Sequence, residues 1–131
     1  MEINYSSEKP IFLQIAEGIE DAILSGAFAE DTQIPSITEF SVSYTINPAT
    51  ALKGINILVE NGILYKKRGV GMFVSEGAAK RLAESRKAAF FSEYVETLVL
   101  EAKRLGIGPG KIKEMVDKSF SSAESKPAER G

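Results

Sequence analysis

"INPATALKGINILVENGILYKKRGVGMFV", residues 46–74, is the stretch on which the reading of the chain turns. Asn47 is a good helix N-cap, and Pro48 suits the first helical position because the N–H it lacks would find no partner there. The helix continues through Val59 and ends near Asn61-Gly62, where glycine can take the left-handed cap. Ile63 to Lys67 and Met72 to Val74 follow as two short strands rich in β-forming residues, with Gly69 and Gly71 supplying the turn. Three consecutive cations, Lys66, Lys67 and Arg68, gather at the tip of that hairpin.

Working outward, "IPSITEF" precedes this block. Ser36 three residues before Glu39 makes a capping box, and Pro35 stops any earlier helix, so a short helix is expected over about 36–43. Upstream again, Ile11, Phe12, Ile15, Ile19, Ala22 and Ile23 recur at three- and four-residue steps between Pro10 and Gly26, which predicts a core-packed helix. Its other face carries Glu17, Glu20 and Asp21. Helix, helix, helix and hairpin in this order make a winged helix-turn-helix domain, and the two central helices are joined by the few residues that motif needs.

Downstream of the hairpin the pattern is helical over 78–105, with Leu82, Ala89, Phe90, Val95, Leu98, Val99, Ala102 and Leu105. "GIGPG" breaks it, and "KIKEMVDKSF" reads as one last short helix. The predicted organisation is a mainly α chain with a small β-hairpin. It comprises a winged domain over 1–76, a helical segment over 77–120, and a polar tail over 121–131 expected to be disordered.

The totals restrict the function. The chain of 131 residues has 44% hydrophobic and 26% charged residues, a normal globular balance. It contains no cysteine and no histidine, which removes thiolate metal sites and the commonest general base. No carboxylate pair sits beside a recognisable catalytic element, so neither an enzyme nor a cofactor site is expected. The opening "MEINYSSEKP" lacks the basic start and apolar core of a signal peptide, and no apolar run approaches membrane-spanning length. The cytoplasm is the expected location.

In four places, "KPIFLQI", "IPSITEF", "INPAT…L…NGI" and "KRGVGMFV", the sequence resembles the GntR family of bacterial transcription regulators, over residues 9–76. The short C-terminal part resembles the family's YtrA-like subgroup, whose members carry two helices after the winged domain. The resemblance implies a transcription regulator, a repressor by expectation, that binds double-stranded DNA as a homodimer on a two-fold operator. It also implies that the C-terminal appendage dimerises the protein and is too small to enclose a metabolite. Phe90, Phe91, Tyr94, Val95, Leu98 and Leu105 form a broad apolar stripe suited to that role, and Ile112, Met115, Val116 and Phe120 offer a second.

A winged domain inserts its second central helix into the major groove while neighbouring elements grip phosphates. That assigns Asn47, Ala49, Thr50, Leu52 and Lys53 to the reading helix. Ser36 and Thr38 fall at the N-terminus of the helix before it, and Lys66, Lys67, Arg68 and Gly69 form the wing. Leu52 admits two readings. Periodicity favours it as core with Ile55 and Val59; a buried stripe of Ala51, Gly54, Ile55 and Leu58 would instead turn it to DNA, where it suits a thymine methyl. Charge opposes the assignment, because residues 1–75 hold five cations against nine anions, a balance of −4. Many family members also have arginine where this chain has Thr38 and at or beside Leu52, and a cation where it has Val70. A winged protein-interaction module with little DNA affinity is therefore the competing reading.

Overall fold

The computed structural model describes residues 1–125, in two compact units that divide after Ala83. In the first unit, α1 (Ile11–Ser25) ends on Gly26 at φ 89°, the left-handed cap expected of that glycine. Helix α2 (Ile37–Tyr44) starts in the anticipated capping box: Ser36 Oγ accepts from Glu39 N at 3.0 Å, and Glu39 Oε1 accepts from Ser36 N at 2.7 Å. Helix α3 (Pro48–Glu60) opens on Asn47, whose Oδ1 accepts from Ala49 N at 2.7 Å. Strands β1 (Leu64–Lys67) and β2 (Gly71–Val74) pair antiparallel, with Leu64 opposite Val74 and Tyr65 opposite Phe73.

The core of this unit is aliphatic, with Ile15, Ile19, Ile55, Leu58, Leu64 and Val74 sealed from solvent. Helices α1 and α3 cross closely, and Gly54 is the reason they can. A Cβ built there would lie 2.5 Å from the carbonyl oxygen of Phe12 and 3.2 Å from Ile15 Cβ. The buried stripe of α3 is consequently Ala51, Gly54, Ile55 and Leu58. Leu52 remains 39% exposed, which corrects the periodicity-based preference for a core role. The correction has a physical cause: the side with no Cβ admits a neighbouring backbone, and the bulkier Leu52 side does not.

Another element was not legible in advance. Residues 31–34 run beside β2, where Asp31 N donates to Val74 O at 2.7 Å, Val74 N to Thr32 O at 3.0 Å and Ile34 N to Met72 O at 3.0 Å. These backbone hydrogen bonds cover the β2 edge of the two-stranded hairpin without adding a third strand. Helix α4 (Ala78–Phe90) begins within the first unit, because Ala78 and Leu82 are buried in its core; the unit thus runs past residue 76 to Ala83.

In the second unit the helix expected over 78–105 is interrupted by a π-helical turn at Phe91–Val95 and resumes as α5 (Glu96–Leu105). Gly106, at φ 72°, caps it, and Ile107 N returns to Ala102 O at 2.9 Å. Helix α6 (Pro109–Ser125) extends five residues beyond the tail boundary placed at 121. Nothing in Ser121–Ser125 breaks a helix, and the next proline is Pro127. The remainder of the expected tail lies outside the described residues. Of the apolar stripe, Phe90, Phe91, Tyr94, Leu98 and Leu105 are exposed and Val95 is half-buried.

Candidate nucleic-acid interface

The N-termini of α2 and α3 and the tip of the hairpin contain every DNA-contact candidate named from the sequence, and all of them lie in the first unit. Ser36 is exposed but its hydroxyl is committed to the capping box, while Thr38 is exposed in the first turn of the helix. The turn into α3 is made by Thr45 at φ 52° and is tied by Ser41 Oγ donating to Ile46 O at 2.6 Å. The Tyr5 hydroxyl donates to Tyr44 O, so the N-terminal segment braces the same turn. Asn47 spends its carbonyl oxygen on the cap, which leaves its amide hydrogens for a ligand.

Ala49, Leu52, Lys53, Asn56, Ile57 and Glu60 line an open groove along the outer side of α3. Thr50 stands at the edge of this face and is half-buried. Lys53 leans across to α1, its Nζ 4.1 Å from the centre of the Phe12 ring. Asn56 belongs to the face and was missed from sequence. The signal was the three- and four-residue spacing from Ala49, Leu52 and Lys53, visible once the buried stripe is set by Gly54.

The wing turns through Val70 N donating to Lys67 O at 2.9 Å, with Gly69 at φ 77° and Gly71 at φ 147°. Gln33 Nε2 donates to Val70 O at 2.9 Å and occupies the space a Cβ at Gly71 would need. One side of the hairpin stacks a ladder of groups. Lys67 Nζ sits 4.4 Å above the Phe73 ring, Phe73 stacks on Tyr65 at 5.7 Å, and the Tyr65 hydroxyl donates to Asp31 Oδ1 at 3.3 Å. Partial burial, then the neighbouring Asp31 carboxylate, raise the Tyr65 pKa above its ordinary value. Lys66 and Arg68 are exposed and have no ion-pair partner among the described residues.

The fold holds several of these anions in its own contacts, although the balance of −4 over residues 1–75 is unchanged by them. Glu17 pairs with Lys9 at 2.8 Å, Glu39 closes the α2 cap, Glu30 accepts from Gly77 N at 2.9 Å, and Asp31 accepts from Tyr65. At least these four of the nine anions are engaged in the fold's own contacts, while Lys66 and Arg68 remain open to solvent.

Residues 12–74 match the model of the bacterial regulatory proteins of the gntR family. The HTH-type transcriptional repressor YtrA of Bacillus subtilis is 28% identical over 116 residues, 88% of each chain. A crystal structure from Bacteroides thetaiotaomicron assigned to the GntR family superimposes with a TM-score of 0.66 at 34% identity, covering 86% of this chain and 97% of that one. The DNA-binding domain of AraR in complex with operator ORX1 is 29% identical with a TM-score of 0.53, over 57% of this chain and 96% of that one.

Proposed function

The chain belongs to the gntR family of bacterial regulatory proteins, and we propose that it represses transcription from the cytoplasm as a homodimer on a two-fold operator. The observation that supports this reading best is the outer side of α3, which stays out of the core and starts from a capped N-terminus, in a unit whose hairpin tip carries exposed cations. A helix presented in this way enters the major groove, and Ala49, Leu52 and Lys53 on its first two turns face base edges and the nearest phosphates. Lys66, Lys67 and Arg68 bind flanking phosphates, and Gly69 lets the wing backbone approach closely. Ser36 and Thr38 sit where the start of α2 meets the backbone, and Asn47 and Thr50 do the same for α3.

Dimerisation rests on the second unit. Phe90, Phe91, Tyr94, Leu98 and Leu105 expose apolar surface, as do Met115, Val116 and Phe120 on α6. A patch of that extent marks an interaction surface, and an isologous two-fold contact is the commonest way to cover one. Such a pairing presents two copies of α3 to half-sites about one DNA turn, or a small multiple, apart. No helix among the described residues is long and apolar enough to cross a membrane.

A gel shift against the DNA upstream of the chain's own gene tests the proposal, with retention that weakens steeply as salt rises as the expected result. No retention at any salt would favour the competing reading, a winged interaction module, which the −4 balance of residues 1–75 and the uncharged Thr38, Leu52 and Val70 support.

A further inference from the structure

The groove along α3 has a chemical content that distinguishes between base pairs. In the major groove guanine presents two acceptors, N7 and O6, which call for a bidentate cationic donor, whereas adenine presents a donor and an acceptor and thymine a methyl group. The outer side of α3 contains no arginine. Its one cation, Lys53, is drawn off the centre of the face onto the Phe12 ring of α1. What remains of the groove lining on the first three turns is apolar or amide: Ala49, the 39%-exposed Leu52, Asn56 and the half-buried Ile57, with the half-buried Thr50 at the edge. At about 1.5 Å rise per residue, Ala49 to Asn56 spans about 10 Å, or roughly three base-pair steps. Glu60, one turn further, places a carboxylate where phosphates would repel it and so closes the reading surface.

From this content we infer that α3 reads a half-site centred on A·T pairs. Leu52, with Ala49, covers thymine C5-methyl groups. Asn56 accepts from adenine N6 and donates to N7, the bidentate match to its amide. Lys53, at the edge of the face, grips a phosphate and does not discriminate between bases. The inference deepens the DNA-binding reading above and rests on it.

Selection of bound duplexes from a random library by the full-length chain tests it, followed by base-analogue substitution in the winning site. The expected outcome is a half-site with A·T pairs at its centre. Uracil in place of the contacted thymine removes only the methyl group and should weaken binding about three- to fourfold. Leu52→Ala should lose that sensitivity to uracil. Asn56→Ala should cost tenfold or more at one A·T pair and relax the preference there. Lys53→Ala should weaken all duplexes alike and lower the salt slope by about one unit. A G·C-centred half-site, weakened by 7-deazaguanine in the wild type but not in Lys53→Ala, would overturn the inference while leaving DNA binding intact. Failure to retain any duplex would remove the DNA-binding reading itself. The analogue measurements use the wild-type chain, so they stand even if a variant fails to fold.

Discussion

Replacing Gly54 with alanine tests the packing that decides which side of α3 faces outward. The new Cβ would lie 2.5 Å from Phe12 O, 3.2 Å from Ile15 Cβ and 3.3 Å from Ile15 Cγ2. The first of these is a helix backbone atom and cannot rotate aside. Restoring ordinary contact, which begins near 3.4 Å, requires α1 and α3 to separate locally by about 0.9 Å. That movement loosens the layer formed by Ile15, Ile19, Ile55 and Leu58, and overpacking of this kind costs about 1–3 kcal/mol. Alanine returns roughly 0.5–1 kcal/mol through its better helix propensity. The net loss should be about 1–2 kcal/mol, or roughly 5–15 °C in the melting temperature of a unit this size. Thermal unfolding of the full chain followed by circular dichroism measures it. Gly110→Ala is the control, because that glycine lies in α6 with nothing within 4 Å of a new Cβ, and its melting temperature should hold or rise. If Gly54→Ala melts at or above the wild-type temperature, the close crossing is not what orients α3, and the outward position of Leu52 loses its explanation.

The other predictions concern the wing and the second unit. Arg68→Ala should weaken binding to every duplex by a similar factor and lower the salt slope by about one unit, read by fluorescence anisotropy at several salt concentrations. Gly71→Ala places a side chain at φ 147° into the space of the Gln33 amide; DNA affinity should fall while the helical circular dichroism signal persists, and unchanged affinity would show that wing geometry is unimportant. The full-length chain should sediment as a dimer at tens of micromolar, and a chain ending at Ala83 as a folded monomer with much weaker operator binding, since the second half-site is no longer coupled. A chain ending at Ser75 should be markedly less stable than the one ending at Ala83, because it lacks the buried Ala78 and Leu82; equal melting temperatures would contradict their place in the core.

What the sequence alone determined about this protein is the part written in short-range chemistry. The Ser36–Glu39 capping box, the Asn47-Pro48 start of α3, the Gly26 cap and the Gly69–Gly71 turn all act within a few residues, so each was legible from its neighbours. Their order was enough to specify a winged helix-turn-helix domain and to locate its basic wing. The tertiary structure decided what depends on distant partners. Whether Leu52 or Gly54 faces the core turns on a carbonyl of α1 about forty residues away, and periodicity by itself allows both. Residues 31–34 pair with β2 only because the hairpin offers an edge, and their sequence carries no strand pattern of its own. Lys53 and Lys67 read as two equal cations in sequence, yet in the fold one rests on Phe12 and the other on Phe73. The acidic balance is a sum over sequence, but only the fold shows that Glu17 is paired with Lys9 while Lys66 and Arg68 stand exposed at the tip of the hairpin. Local rules set where helices begin and end; which faces meet, and which charges remain open to a ligand, is settled by contacts between segments far apart in the chain.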